Sequence, residues 1–218
     1  MNGFFNPDNW LWRSFGKIFD FFGLSCMWFL CSMPLITVGT ASIALYDTAA
    51  HCLRGTETNL AKRFFSTFKK ELIPGILITI LWAVIAMLFW FGYQIVYQMG
   101  QADPNLALFA VVYYFSLLIP VGVLCWVFAV ESRFVYRFFQ LHKMSLYFTF
   151  AHLPATIAVV VLALIAIEIC LDFPFMVIFV PGILVYLQSF FIERVFRKYM
   201  PEEQTAEVEE TDEALAEE

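Results

Sequence analysis

The chain has 218 residues, 61% of them apolar and only 15% charged, with a mean hydropathy of +0.74. A soluble domain runs at about 45–50% apolar and about 25% charged, so an ordinary soluble domain, a disordered chain and a disulfide scaffold are excluded for most of the length. The net charge of -6 hides an asymmetry: residues 202–218 hold nine acids and no base, while the rest holds 13 bases and ten acids.

An apolar run of about 20 residues spans the hydrocarbon core of a bilayer. The first such run covers 18–38, with Asp20 at its edge. Pro34 and Gly39 predict that its helix stops near Met33, because proline lacks a backbone donor and restricts the residue before it. The next segment, 40–53, reads TASIALYDTAAHCL. It is helix-competent and Thr40 can cap it, but at about 1.5 Å per residue it reaches about 21 Å, short of a full crossing. Residues 59–72 follow as an amphipathic stretch. Leu60, Phe64, Phe68 and Leu72 recur every fourth residue, with Lys62, Arg63, Lys69 and Lys70 mainly off that stripe. Full spans are expected at 72–97 and 106–130. A second amphipathic stretch, 133–144, carries Phe134, Phe138 and Leu141 beside Arg133 and Arg137. The last two spans are expected at 151–171 and 173–192.

The fold class is therefore all-α: a polytopic membrane protein of five full helices plus a short second one, six in total, with amphipathic cytoplasmic linkers. Residues 1–17 form an N-terminal segment, 18–200 the membrane domain and 201–218 an acidic tail expected to be solvated and disordered. Basic residues cluster on alternate links. If the short segment crosses, all 13 lie on one side; if it does not, the split is 11 to 2. The positive-inside rule prefers the first, which puts both termini in the cytoplasm. Basic aromatic stretches of this kind suit the headgroup region. A cleaved signal peptide is disfavoured, because the first apolar run is bulky and aromatic. Helix-length runs point to a plasma membrane rather than an outer-membrane barrel.

Ionisable residues inside apolar runs are costly and mark candidate sites. Glu168 sits about one turn from the end of the fifth helix, with Asp172 four residues on and on the same face. The two could hold a cation or proton, or stand solvated near the headgroups. Asp47 and His51 form another such pair on the short segment, where a carboxylate can orient an imidazole; the plainer reading is a structural hydrogen bond. The sequence has three histidines and no HExxH, so no metal site is expected. Five scattered cysteines without CxxC spacing read as buried thiols. No nucleophile elbow, phosphate-binding loop or dinucleotide fingerprint occurs, so neither an enzyme nor a cofactor is expected. The few dispersed bases give nucleic-acid binding no support. Arg-Phe-Phe at 63–65 and 137–139, and Pro-Gly-Ile-Leu at 74–77 and 181–184, recur at discordant offsets and support no inverted repeat.

The most specific stretch begins at Pro34. It reads Pro34-Leu35-Ile36-Thr37-Val38-Gly39-Thr40-Ala41, then Ala44-Leu45-Tyr46, Gly55, Phe64-Phe65 and Phe68-Lys69. Over roughly 18–75 this resembles the YesL-like family of small bacterial membrane proteins of uncharacterised function. The family often has Gly-Pro-Ala where this chain has Gly39-Thr40-Ala41, and commonly an amide where Glu71 stands. In physical terms, Pro34 ends a helix, Gly39 permits a tight reversal with positive φ, and Ala41 and Ala44 let helices approach closely. The resemblance implies a bacterial plasma-membrane protein associated with carbohydrate uptake. Its partners would be the bilayer and a sugar ABC transporter or another membrane protein. Two functions are expected from the residues and the resemblance together: an accessory or assembly factor for carbohydrate uptake, or a small secondary transporter or channel using an intramembrane carboxylate.

Overall fold

The computed structural model describes residues 10–53, 59–102, 107–134 and 136–199. Gly55 and the acidic tail lie outside the described residues. Nine α-helices account for most of the described chain: α1 (Trp10–Ser32), α2 (Val38–Thr48), α3 (Leu60–Lys70), α4 (Leu72–Ala102), α5 (Ala107–Ser116), α6 (Leu118–Arg133), α7 (Phe138–Ala151), α8 (Leu153–Asp172) and α9 (Val180–Phe196). Among the described residues there is no strand.

Among the described residues three helices are long and apolar enough to cross a membrane: Leu72–Gln101, Val111–Arg133 and Leu153–Asp172. Their outward faces carry large apolar side chains. On α4, Ile73, Leu77, Ile80, Val84, Leu88, Phe91 and Ile95 are exposed at helical spacing. A contiguous apolar stripe of this length is untenable against water and suits lipid.

The second of these spans is not one straight helix. It is interrupted at Leu117, between α5 and α6. Pro120 supplies the reason: without an N–H it cannot bond the carbonyl of Ser116, and its ring crowds that carbonyl. Helical bonds persist on either side, Leu117 N to the Tyr113 carbonyl at 3.2 Å and Val121 N to the Leu117 carbonyl at 3.5 Å, so the span is loosened locally rather than cut. The stretch expected as one amphipathic helix over 133–144 also divides. Arg133 ends α6, Phe134 is extended, and α7 starts only at Phe138. α7 then packs antiparallel along α6 and buries Leu141, Ser145 and Phe148. Nor does the last helix begin at Phe173: Pro174–Ile178 form a 3-10 turn, and α9 starts at Val180.

α2 is the central element. All its residues except Val38 and Ser42 are buried, and it packs against α1, α3, α4, α6 and α9. One side of it, through Ile43 and Tyr46, joins a core built on Trp126, which is fully buried. Trp126 stacks on Phe148 with ring centroids 5.4 Å apart and meets Phe196 edge-on at 5.7 Å. Its indole Nε1 donates to Thr156 Oγ1 at 3.0 Å, so the one polar atom of a large apolar side chain is satisfied. The other side of α2, through Ala44, Leu45 and Ala49, meets Leu24 of α1 and Phe64 of α3.

The crossing of α2 on α4 is very close. A Cβ on Gly39 would lie 2.6 Å from the Gly75 carbonyl oxygen, and one on Gly75 would lie 2.5 Å from Thr40 Cα. Gly39 N donates to Thr79 Oγ1 at 2.9 Å, and Thr40 Oγ1 to the Leu72 carbonyl at 3.3 Å. Two expectations are corrected here. Gly39 does not make a reversal with positive φ, since no glycine among the described residues has one. It lies inside α2 and is needed for the approach of two backbones. Thr40 is not the cap either: α2 starts at Val38 after Thr37, and the Thr40 hydroxyl is spent across the crossing. The reversal is made by Pro34 and a 3-10 turn, Leu35–Thr37, with Thr37 Oγ1 donating to the carbonyls of Cys31 (2.6 Å) and Pro34 (2.7 Å).

Candidate functional site: a buried ionic network around His51

After Thr48 the helix widens into a five-residue π turn, Ala49–Leu53. Such turns are rare and recur at functional sites. Here the turn sets His51 one turn beyond Asp47. His51 Nδ1 lies 2.9 Å from the Asp47 carbonyl and 3.1 Å from its Oδ1. The Asp47 side chain is only 3% exposed, so its charge requires partners.

α3 supplies them. Arg63 grips the Asp47 carboxylate with both arms of its guanidinium, Nε to Oδ2 at 2.6 Å and Nη2 to Oδ1 at 2.9 Å. Thr67 Oγ1 donates to Oδ2 at 2.6 Å. The four-residue spacing of Arg63 and Thr67 places both on the α3 face turned to α2, beside the apolar stripe through Phe64 and Phe68. Hydrogen bonds from Arg63, His51 and Thr67 together satisfy the buried carboxylate.

A second pair lies beyond His51. Arg133, the last residue of α6, sends Nε to Glu193 Oε1 of α9 at 2.9 Å and Nη1 to His51 Nε2 at 2.8 Å. A guanidinium only donates, so Nε2 accepts and the ring proton sits on Nδ1, facing Asp47. Tyr46 OH donates to the same Glu193 oxygen at 3.1 Å. Arg63 Nη2 lies against the imidazole, 3.2 and 3.4 Å from its two nitrogens. Two carboxylates and two guanidiniums thus balance, and His51 joins the pairs into one chain across α3, α2, α6 and α9. The Glu193 side chain is 2% exposed, and its Oε2 is buried without a hydrogen-bond partner.

Of the residues singled out in the sequence, Asp47 and His51 are brought together; Glu168 and Asp172 are exposed on α8, away from this network. Tyr46 of the family motif reaches Glu193, and Phe64 is buried, whereas Phe65 and Lys69 face outward on α3. Ala41 and Ala44 are fully buried. Arg63, Thr67, Arg133 and Glu193 went unrecognised as partners. The available signal was Glu193 itself, an acid closing an apolar run and in need of a cation. Among the described residues no three of His, Cys, Asp and Glu gather as a metal site. A separate cavity of about 200 Å³ between α4 and α5 is lined by Tyr93, Tyr97, Gln101, Tyr113 and Tyr114, among others.

Fold and network together define an all-helical chain with the hallmarks of a membrane protein, whose two buried carboxylates among the described residues are paired across four helices. Residues 9–93 match a family model described as "Protein of unknown function, DUF624". The match takes in α1 to α3 and most of α4, including every residue on which the family resemblance rests. No curated protein and no solved structure matches the chain.

Proposed function

We propose that this is a non-enzymatic integral membrane protein that works through contacts with other membrane components, as an accessory or assembly factor for carbohydrate uptake. One observation carries the non-transporting half of this reading: among the described residues the two buried carboxylates, Asp47 and Glu193, are each matched by a guanidinium, Arg63 and Arg133. Such a network fixes which helices meet and in what register. The carbohydrate link is contributed by the YesL-like resemblance and is an association by context. The reading includes a bacterial plasma membrane, five crossing helices with α2 as a short sixth, and both termini in the cytoplasm.

Crosslinking and affinity purification from the native host, grown on a complex polysaccharide, tests it. A permease or solute-binding protein recovered in stoichiometric amount is the expected result. Recovery of this chain alone would refute it. A second reading, a small secondary transporter or channel, is favoured by the unpartnered Oε2 of the buried Glu193. Solute or proton flux in liposomes that falls in Glu193→Gln would support it; no flux in the purified protein would remove it.

A further inference from the structure

α3 has two unlike faces. One is buried: Phe64 is fully inaccessible and Phe68 stacks against it, centroids 6.2 Å apart. The opposite face presents Lys62, Phe65, Ser66 and Lys69, all exposed and at the i, i+3, i+4, i+7 spacing of a single helical stripe. Lys70, beside it, is turned to Glu71 at 3.1 Å. The outward stripe thus carries two cations with one aromatic ring between them, and no acid among the described residues lies on it.

The ionic network fixes what lies near it. Three successive contacts lead from Arg63 of α3 through His51 and Arg133 to Glu193, in the last turn of α9. The chain therefore leaves α9 at the same end of the molecule as α3. The 18 residues that follow, 201–218, carry nine acids and no base. Fully extended they reach about 60 Å, several times the roughly 16 Å length of α3.

We propose that the acidic segment 202–218 docks, within its own chain, on the Lys62–Phe65–Lys69 face of α3. Single exposed ion pairs are weak and screened by salt. Tethering compensates, because two groups joined in one chain meet at an effective concentration in the mM range. The contact is consequently a salt-dependent equilibrium. An anionic lipid surface attracts the same lysines and competes for them, so the tail regulates whether this face of α3 engages the membrane. The proposal is independent of the accessory-factor reading.

A zero-length carbodiimide crosslink joins a lysine amine only to a carboxylate it touches. The full chain, in nanodiscs of neutral lipid at low salt, should give links from Glu207, Glu209, Glu210 or Glu213 to Lys62 or Lys69. These should fall at least threefold at about 0.5 M salt, where the Debye length shrinks to a few Å, and likewise in nanodiscs rich in anionic lipid. The double variant Lys62→Gln/Lys69→Gln, whose side chains are exposed, should keep the parent Tm and lose the links. Mixing isotopically light and heavy protein identifies links between two copies. Links found only between copies, tail links confined to Lys143 or Lys198, or no tail links at low salt would each overturn the proposal.

Discussion

Gly75→Ala tests the packing on which the site depends. The new Cβ would stand 2.5 Å from Thr40 Cα and 2.6 Å from Thr40 N, where ordinary contact is 3.4–4 Å. Both are backbone atoms and cannot swing aside, so α2 must retreat from α4 by about 1 Å in an interior that is close-packed. Overpacking of this kind costs about 1–3 kcal/mol. The retreat also stretches the hydrogen bonds from Gly39 N to Thr79 and from Thr40 to the Leu72 carbonyl, each worth about 1 kcal/mol. Alanine returns up to about 1 kcal/mol of helix propensity. The net loss is about 2–3 kcal/mol, a fall in Tm of about 4–12 °C for a chain of this size. Thermal unfolding in detergent, followed by size-exclusion of the surviving protein, measures it. Gly23→Ala is the control, since a Cβ there meets nothing within 4 Å; it should leave Tm unchanged or slightly raised. A Gly75→Ala protein no less stable than Gly23→Ala would refute the reasoning.

The ionic network makes a further prediction. Arg63→Ala leaves the Asp47 carboxylate buried and poorly paired, which should cost about 3 kcal/mol, while Asp47→Asn/Arg63→Gln should cost clearly less than Arg63→Ala; a thermal double-mutant cycle with no coupling would refute the pairing.

The long helices were readable because continuous apolar runs mark them directly: 72–97 became α4, Leu72–Ala102, and 151–171 became α8, Leu153–Asp172. α3 was readable from its four-residue stripe. The irregularity at Leu117 hinges on Pro120, and a proline within an apolar run does not by itself say whether a helix bends or stops. The site was half visible. Asp47 and His51 lie on one helix, and local spacing pairs them. Their other partners lie 16 and 82 residues away, and Glu193 lies 60 residues beyond Arg133. No periodicity reports contacts of that range. Arg63 and Arg133 looked like ordinary cations at the edge of a membrane, because position along the chain reveals charge but not what the charge faces. Gly39 illustrates a different limit. The need for a glycine was apparent, yet a turn and a close helix crossing demand the same residue.

The central position of α2 bears on how the chain acquires its structure. The Asp47–Arg63 bond closes a loop of 16 residues and can form as soon as α3 exists. Tyr46 must wait for Glu193, 147 residues later, and Ile43 must wait for Trp126 and Ile192. Until α6 and α9 arrive, one side of α2 has no protein to cover it. The segment 9–93 that matches a family model therefore holds only part of the packing around α2. It is the first half of a core that only the end of the chain completes, so a ribosome stalled before α9 would leave Asp47 paired and Tyr46 without its acceptor.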